Sequence, residues 1–222
     1  MDTDTIAWLV PSCGNRLALQ ATQMPQNAPL RTTSPLSDSS GPALRLSFSQ
    51  TPASYRGFLI GTDPACDVVL PKSPGISRRH AHLTFDADSR LVLRDTSRNG
   101  TAVWYDHRSN GDRTDFCWVL SSGFAYGFPD QVGRIVIDVQ GVRFRVVVNG
   151  PGADVEGYVR RVDDFLVGLA ERADAPVAPQ LGGRGGEGGF VKHTVEGDGE
   201  GPRTFLWSVA RPWDPIIPLT EY

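Results

Sequence analysis

Two short stretches of the chain concentrate the side chains able to do chemistry. Ser77-Arg78-Arg79-His80 places a hydroxyl, two guanidiniums and an imidazole within four residues. Ser97-Arg98-Asn99-Gly100-Thr101 repeats the hydroxyl and the guanidinium and adds an amide. A third stretch, Gly61-Thr62-Asp63, precedes both. Between Gly75 and Thr101 five arginines face three aspartates, a balance of +2 in a chain that is −3 overall. A local cationic site on a mildly acidic chain suits a small anion better than a long polyanion. Ser77 and Asn99 add neutral hydrogen bonds beside the arginines. That mix suits a phosphate ester, with its charge of about −1.5 to −2 and its three acceptor oxygens. Charge-assisted bonds from arginine would carry most of the affinity.

Catalysis fits these residues poorly. A local Ser77-x-x-His80 lacks the orienting acid and oxyanion site that a nucleophile–base pair needs. His80, His82, His107 and His193 have no cysteine or acidic partner at ligand spacing, so no metal is expected, and no cofactor. Cys13, Cys66 and Cys117 are odd in number and far apart, which predicts free thiols. Asp163-Asp164 reads as a solvated helix face. Trp8, Trp104, Trp118, Trp207 and Trp213 are scattered without basic interleaving, so no nucleic acid is expected. No run approaches the ~18 apolar residues of a membrane span. The acidic start and the short apolar run Ile6 to Val10 lack the basic region and length of a secretory signal. The expectation is an intracellular protein of cytoplasm or nucleus, with no membrane partner.

The elements that must hold these motifs are mostly strands. The 222 residues include 24 glycines and 17 prolines, above average usage, which argues for turns and linkers and against a helical bundle. Residues 1–42 are rich in Pro, Ser, Thr, Asn and Gln and read as an N-terminal segment and flexible linker. Alternation then begins: Leu44, Leu46 and Phe48 share one face. Phe58-Leu59-Ile60 and Val68-Val69-Leu70 are short apolar runs between turns. Ala81, Leu83 and Phe85 alternate with His80, His82 and Thr84, and a turn at 86–89 leads to Leu91 and Leu93, a hairpin pattern. Asn99-Gly100 signals the next turn. Strands follow at Thr101 to Tyr105, Cys117 to Leu120, Ile135 to Val139 and Val142 to Val148. Many short strands at this spacing predict an all-β sandwich or barrel over residues 43–149. A helical period then appears over 154–172, where Val155, Tyr158, Val162, Phe165 and Leu169 share one face behind Asp154 as N-cap. Residues 173–222 are a Gly/Pro-rich tail with one strand candidate at Thr204 to Val209. Both flanks are expected to be disordered.

The order and spacing of the motifs, with strands between them, resemble the forkhead-associated (FHA) domain, a reader of phosphothreonine peptides. The family pattern is Gly-Arg at a strand end, then Ser-x-x-His, then Ser-x-Asn-Gly-Thr, matched here by Gly61, by Ser77-Arg78-Arg79-His80 and by Ser97-Arg98-Asn99-Gly100-Thr101. The resemblance covers about half the chain and implies an FHA-like (SMAD/FHA) β-sandwich of about eleven strands, with the binding loops at one end. It implies that Ser77 and Arg78 hold the phosphate, that Asn99 holds the peptide main chain and that Arg98 touches phosphate or peptide. His80 would brace the loops, with Gly61, Gly100 and Thr101 as loop architecture. By the same analogy the threonine methyl would be preferred over serine. One departure matters: Thr62 stands where the family has arginine, a loss on the order of 1.5–3 kcal/mol of charge-assisted hydrogen bonding. Arg98 or Lys72 would have to replace it. The implied function is a phosphopeptide-binding signalling module that is not an enzyme. The alternative is a degenerate FHA scaffold, a phosphate-independent interaction or kinase-regulatory fragment.

A wider resemblance links the acidic start, Gly61-Thr62-Asp63-Pro64 and Leu91-Val92-Leu93-Arg94-Asp95 to the N-terminal FHA region of fungal serine/threonine kinases. The glycine tract Gly183-Arg184-Gly185-Gly186-Glu187-Gly188 meets the bare spacing of a kinase loop, but no His-Arg-Asp or Asp-Phe-Gly follows. A working kinase is therefore not expected, and the chain reads as a regulatory fragment, a truncated product or a stand-alone relative. The expected partner is a phosphothreonine-containing protein or peptide. Thr33-Ser34-Pro35 and Thr51-Pro52, in flexible or turn segments, are candidate phosphorylation sites that would give phosphorylation-dependent self-association.

Overall fold

Ile6 to Val10, five apolar residues in succession, cannot be left in water without cost, and the chain buries them at the centre of a sheet. The computed structural model describes residues 2–37, 40–123 and 127–174. Strand β1 (Thr5–Pro11) is flanked by β3 (Pro42–Ser47) and β12 (Val142–Val148). Outward from these lie β2 (Arg31–Thr33) on one side and β11 (Ile135–Val139), β8 (Ala102–Tyr105) and β9 (Arg108–Ser109) on the other. The seven-stranded antiparallel sheet has the order β2-β3-β1-β12-β11-β8-β9. A five-stranded sheet comprises β10 (Cys117–Val119), β7 (Leu91–Asp95), β6 (Ala81–Phe85), β4 (Phe58–Gly61) and β5 (Val68–Val69), in that order, with only β4–β5 parallel. The sheets pack face to face over Ile6, Leu9, Leu44, Leu46, Ile137 and Phe144 from one side and Phe58, Ile60, Val68, Leu83 and Leu93 from the other.

The expected strands from 43 to 149 are present, and the β-sandwich is the observed fold. It has twelve strands among the described residues where about eleven were expected. The boundary at residue 43 and the flexible linker over 1–42 are corrected. That segment supplies β1, a helix α1 (Arg16–Gln23), a 3-10 turn (Pro25–Leu30) and β2. Composition misleads there because the order comes from small residues packing and from one amide. Ala18, Ala21 and Thr22 of α1 are buried. Asn27 is fully buried, and its side chain imitates a neighbouring strand. Its Oδ1 accepts the Val69 N–H (2.8 Å), and its Nδ2 donates to the Val69 carbonyl (2.8 Å) and to the Ala21 carbonyl (2.8 Å). The free edge of β5 is thereby paired, as an edge strand requires. Thr33, expected in a flexible segment, is the last residue of β2, opposite Pro42.

Helix α2 (Val155–Asp174) closes the far end of the sandwich. Asp154 caps it as expected, its Oδ1 accepting the Gly157 N–H at 3.0 Å. A Cβ on Gly157 would stand 2.2 Å from that carboxylate, so the glycine makes room for the cap. Tyr158, Val162, Phe165 and Leu169 are buried, with the Tyr158 ring against Phe48 and the Phe165 ring against Phe58 and Phe85. Each such side chain contributes about 1.5–3 kcal/mol. Phe85 ends β6 at this side, and His80 precedes β6 at the other, so helix and motif loops occupy opposite ends. The expected Gly/Pro-rich tail, with its strand candidate and glycine tract, lies beyond residue 174, outside the described residues.

Asn27→Ala strands the Val69 N–H and carbonyl at a buried edge and is expected to cost about 2–4 kcal/mol, read as a lower urea midpoint at unchanged slope. A fragment starting at residue 43 leaves β3 and β12 unpaired where β1 belongs and is expected to show no cooperative unfolding transition.

Candidate functional site

Three loops and one turn meet at the end of the sandwich opposite α2. The backbone after β4 runs beside the Ser77 loop like a continued ladder. Thr62 N–H donates to the Ser77 carbonyl (3.3 Å), Asp63 N–H to the Arg78 carbonyl (3.0 Å) and His80 N–H to the Ile60 carbonyl (2.8 Å). Gly61 permits this approach, since a Cβ there would sit 2.1 Å from the Arg78 carbonyl oxygen. The loop from Asp95 to Thr101 carries the chain from the five-stranded to the seven-stranded sheet, so Asn99-Gly100 turns a corner between sheets. Gly100 has φ +83°, and a Cβ there would meet the Arg113 backbone at 2.9 Å.

His80 joins the two motifs. It lies one residue before β6, and its side chain is fully buried. Nδ1 accepts the Ser77 N–H (3.0 Å), which fixes the proton on Nε2, and Nε2 faces the Gly100 carbonyl (3.1 Å). Burial, the largest cause, holds its pKa below the ordinary histidine value, against the raising pull of the Gly100 carbonyl and Asp95. The ring is therefore neutral at pH 7. The carbonyl of His80 accepts the Thr96 N–H (2.9 Å) and hydroxyl (3.2 Å). One ring thus bonds to both the Ser77 loop and the Gly100 turn.

Asp95 is the group that motif reading missed. The sequence shows it as a charge and as the end of the Leu91 to Asp95 run, yet its carboxylate is buried and accepts four hydrogen bonds. These come from the Ser97 N–H (3.1 Å), Ser97 hydroxyl (2.8 Å), Thr101 hydroxyl (2.7 Å) and Asp115 N–H (3.1 Å). Thr101 is fully buried by this arrangement. An Asp two residues before a Ser at a strand end is the signal that would have found it, because such side chains fold back on the backbone. Gln140, in the turn between β11 and β12, donates through Nε2 to the Asn99 (3.1 Å) and Gly100 (2.8 Å) carbonyls.

Ser77, Arg78, Arg98 and Asn99 are brought to one surface. The Ser77 hydroxyl accepts the Arg98 N–H at 3.4 Å, so the two motif loops touch. Asn99 donates through Nδ2 to the Gly75 carbonyl (3.0 Å), and its Oδ1 and second N–H have no partner among the described residues. Arg98, Arg79 and Lys72 are exposed. Their guanidinium and ammonium groups make no hydrogen bond or ion pair among the described residues. Arg78 is exposed yet anchored, its Nη2 lying 2.5 Å from Asp63 Oδ2. The Ala65 N–H first and Arg78 second hold the Asp63 carboxyl below the usual carboxylate range. The anchor stands beside Thr62, the position where the family pattern has arginine. Beneath the loop the Cys66 thiol donates to the Arg78 carbonyl (3.3 Å), and burial pushes it up to about 11.

Residues 58–124 match the FHA domain. The match covers under a third of the chain, from β4 to just past β10, and contains every motif residue above. No curated protein sequence matches the chain. Among solved structures, the N-terminal FHA domain of S. cerevisiae Rad53, in complex with a phosphothreonine peptide, is 18% identical with a TM-score of 0.37, covering 65% of this chain and 94% of that one. An engineered FHA with a Myc-pTBD peptide is 16% identical with a TM-score of 0.37, covering 69% and 97%. The FHA domain of the Chlamydia trachomatis CT664 protein is 23% identical with a TM-score of 0.30, covering 47% and 83%.

On the outer face of the five-stranded sheet lies His82. Burial, reinforced by Arg56, Arg79 and Arg94, lowers its pKa to about 4. The unfolded chain takes up a proton near pH 6.5 that the folded chain refuses until about pH 4. Stability is therefore expected to fall as pH drops through that window, by up to about 3 kcal/mol from His82, with His80 acting in the same direction. His82→Gln should flatten that slope in denaturation curves taken from pH 7 to pH 4. Asp95→Asn swaps two acceptor oxygens for one and is expected to destabilise by about 1–3 kcal/mol, measured by the same curves at pH 7.

Proposed function

We propose that the loop end binds a phosphothreonine-containing peptide or protein and performs no chemistry on it. The observation that carries this reading is the Ser77–Arg98 contact, which merges the two FHA motifs into one polar surface. The Ser77 hydroxyl, the Arg78 guanidinium and the Arg98 guanidinium receive the phosphate. The open Oδ1 and N–H of Asn99 receive the peptide backbone. Arg78, held by Asp63 beside Thr62, supplies the cation that the family arginine would have brought. Charge-assisted bonds of this kind contribute about 1.5–3 kcal/mol each.

Calorimetric titration with phosphothreonine, phosphoserine and unmodified versions of peptide libraries tests this reading. Phosphothreonine should bind best, and Ser77→Ala, Asn99→Ala and Arg78→Ala should each weaken it by about tenfold or more. Equal binding of all three peptide forms, or no loss in the variants, contradicts it.

One observation favours a second reading. The Thr62 side chain makes no hydrogen bond among the described residues, and Arg78 is already paired. In that case the sandwich is a phosphate-independent scaffold. Thr62→Arg separates the two: binding that appears only in that variant supports the scaffold. Thr33 and Thr51 are exposed, and under the first reading a second, phosphorylated copy is itself a partner. A phosphorylated sample should then associate by light scattering at tens of micromolar, and a monomer would count against it.

A further inference from the structure

A depression of about 340 Å³ lies on the outer face of the seven-stranded sheet, lined by Ser12, Trp104, Asp106, Arg134, Val136 and Arg143 among others. Its size is at the lower end of ordinary ligand sites. Two of its lining groups are anomalous. The Ser12 hydroxyl and the Trp104 indole Nε1 are buried with no hydrogen-bond partner. Leaving such a group unsatisfied costs about 1–3 kcal/mol. Ser12 is not misplaced as a whole, since its N–H donates to the Arg143 carbonyl (2.9 Å) and its carbonyl accepts the Asn15 N–H (2.9 Å). Only the side chain lacks a partner.

The charges around these two groups are unequal. Arg134 is exposed, and its guanidinium makes no hydrogen bond or ion pair among the described residues. Arg143 spends Nε on Asp138 (2.7 Å), leaving its terminal nitrogens. The carboxylate in the lining, Asp106, already accepts the Arg134 N–H through Oδ1 (2.9 Å). Two arginines, an unpartnered indole N–H and an unpartnered hydroxyl therefore belong to residues lining one depression, with Asp106 as the carboxylate among them. A ligand that satisfies them brings acceptor oxygens and negative charge.

We propose that this depression is a second anion site, built for an oxyanion group. The site is separate from the motif loops and shares none of their residues. The β11–β12 turn stands between, with Gln140 bonded to Asn99 and Gly100 on one side and the Gly141 carbonyl taking Asn15 Nδ2 (2.8 Å) on the other. The inference does not rest on phosphopeptide binding.

The Trp104 indole N–H is its own reporter. In a 15N-labelled full chain, the indole signal of Trp104, assigned through its backbone and by its loss in Trp104→Phe, is followed against inorganic phosphate and against acetate. Sodium chloride at matched ionic strength is the control. The signal should shift saturably with phosphate, with acetate or with both, and the responding salt identifies the oxyanion. Chloride should leave it in place. Ser12→Ala and Arg134→Gln, both at sites that tolerate change, should weaken the response about tenfold, and Arg98→Ala should not alter it. An indole signal that moves with neither oxyanion, moves equally with chloride, or responds unchanged in Arg134→Gln overturns the proposal.

Discussion

The imidazole of His80 has no contact with water, and it can hold the two motif loops together only while it is neutral. One ring nitrogen accepts the Ser77 N–H and the other faces the Gly100 carbonyl. A protonated ring would have two donors and no acceptor, so the Ser77 bond would be lost. The same burial that makes the ring a good strut also opposes its protonation. The position of Ser77 relative to Arg98 and Asn99 follows from this one group. Asp95 completes the brace by gathering Ser97, Thr101 and Asp115.

The sandwich makes that brace stiff. Its two sheets meet at the corner formed by Asn99-Gly100, and the close approaches at Gly61 and Gly100 leave no space for a side chain. β1 is an interior strand of the larger sheet, between β3 and β12, and α2 seals the opposite end with aromatic packing. The base of the site is thus buried and hydrogen-bonded. Its rim is made of exposed cations on flexible stems: Lys72, Arg78, Arg79 and Arg98. A buried base with an exposed cationic rim, in which Arg78 is already anchored to Asp63, is the arrangement that the proposed binding of an anion on an extended chain uses.

Much of this was legible in the sequence. The strands from 43 to 149 show because their apolar residues alternate or cluster between turns, and α2 shows because Tyr158, Val162, Phe165 and Leu169 repeat at helical spacing. The motif residues could be named because their types and order are unusual together. What was not legible depends on contacts between distant residues. Asn27 looks like a linker residue until Val69 lies beside it, 42 positions away. Ile6 to Val10 was weighed only as a candidate signal core, because its partners Leu44 and Val146 are far along the chain. The pairing of Arg78 with Asp63 spans 15 positions, and no spacing rule connects them. Side-chain polar bonds of this kind leave no periodicity.

The tautomer and charge of His80 are directly observable. Long-range 1H–15N correlation spectra of the imidazoles, recorded from pH 7.5 to pH 5, report both for each ring. The brace predicts that His80 is neutral at pH 7.5 with its proton on Nε2 and that it becomes charged only at a pH below that of a solvated histidine. A His80 ring carrying its proton on Nδ1, or one that becomes charged near pH 6.5 like a solvated histidine, would contradict the account.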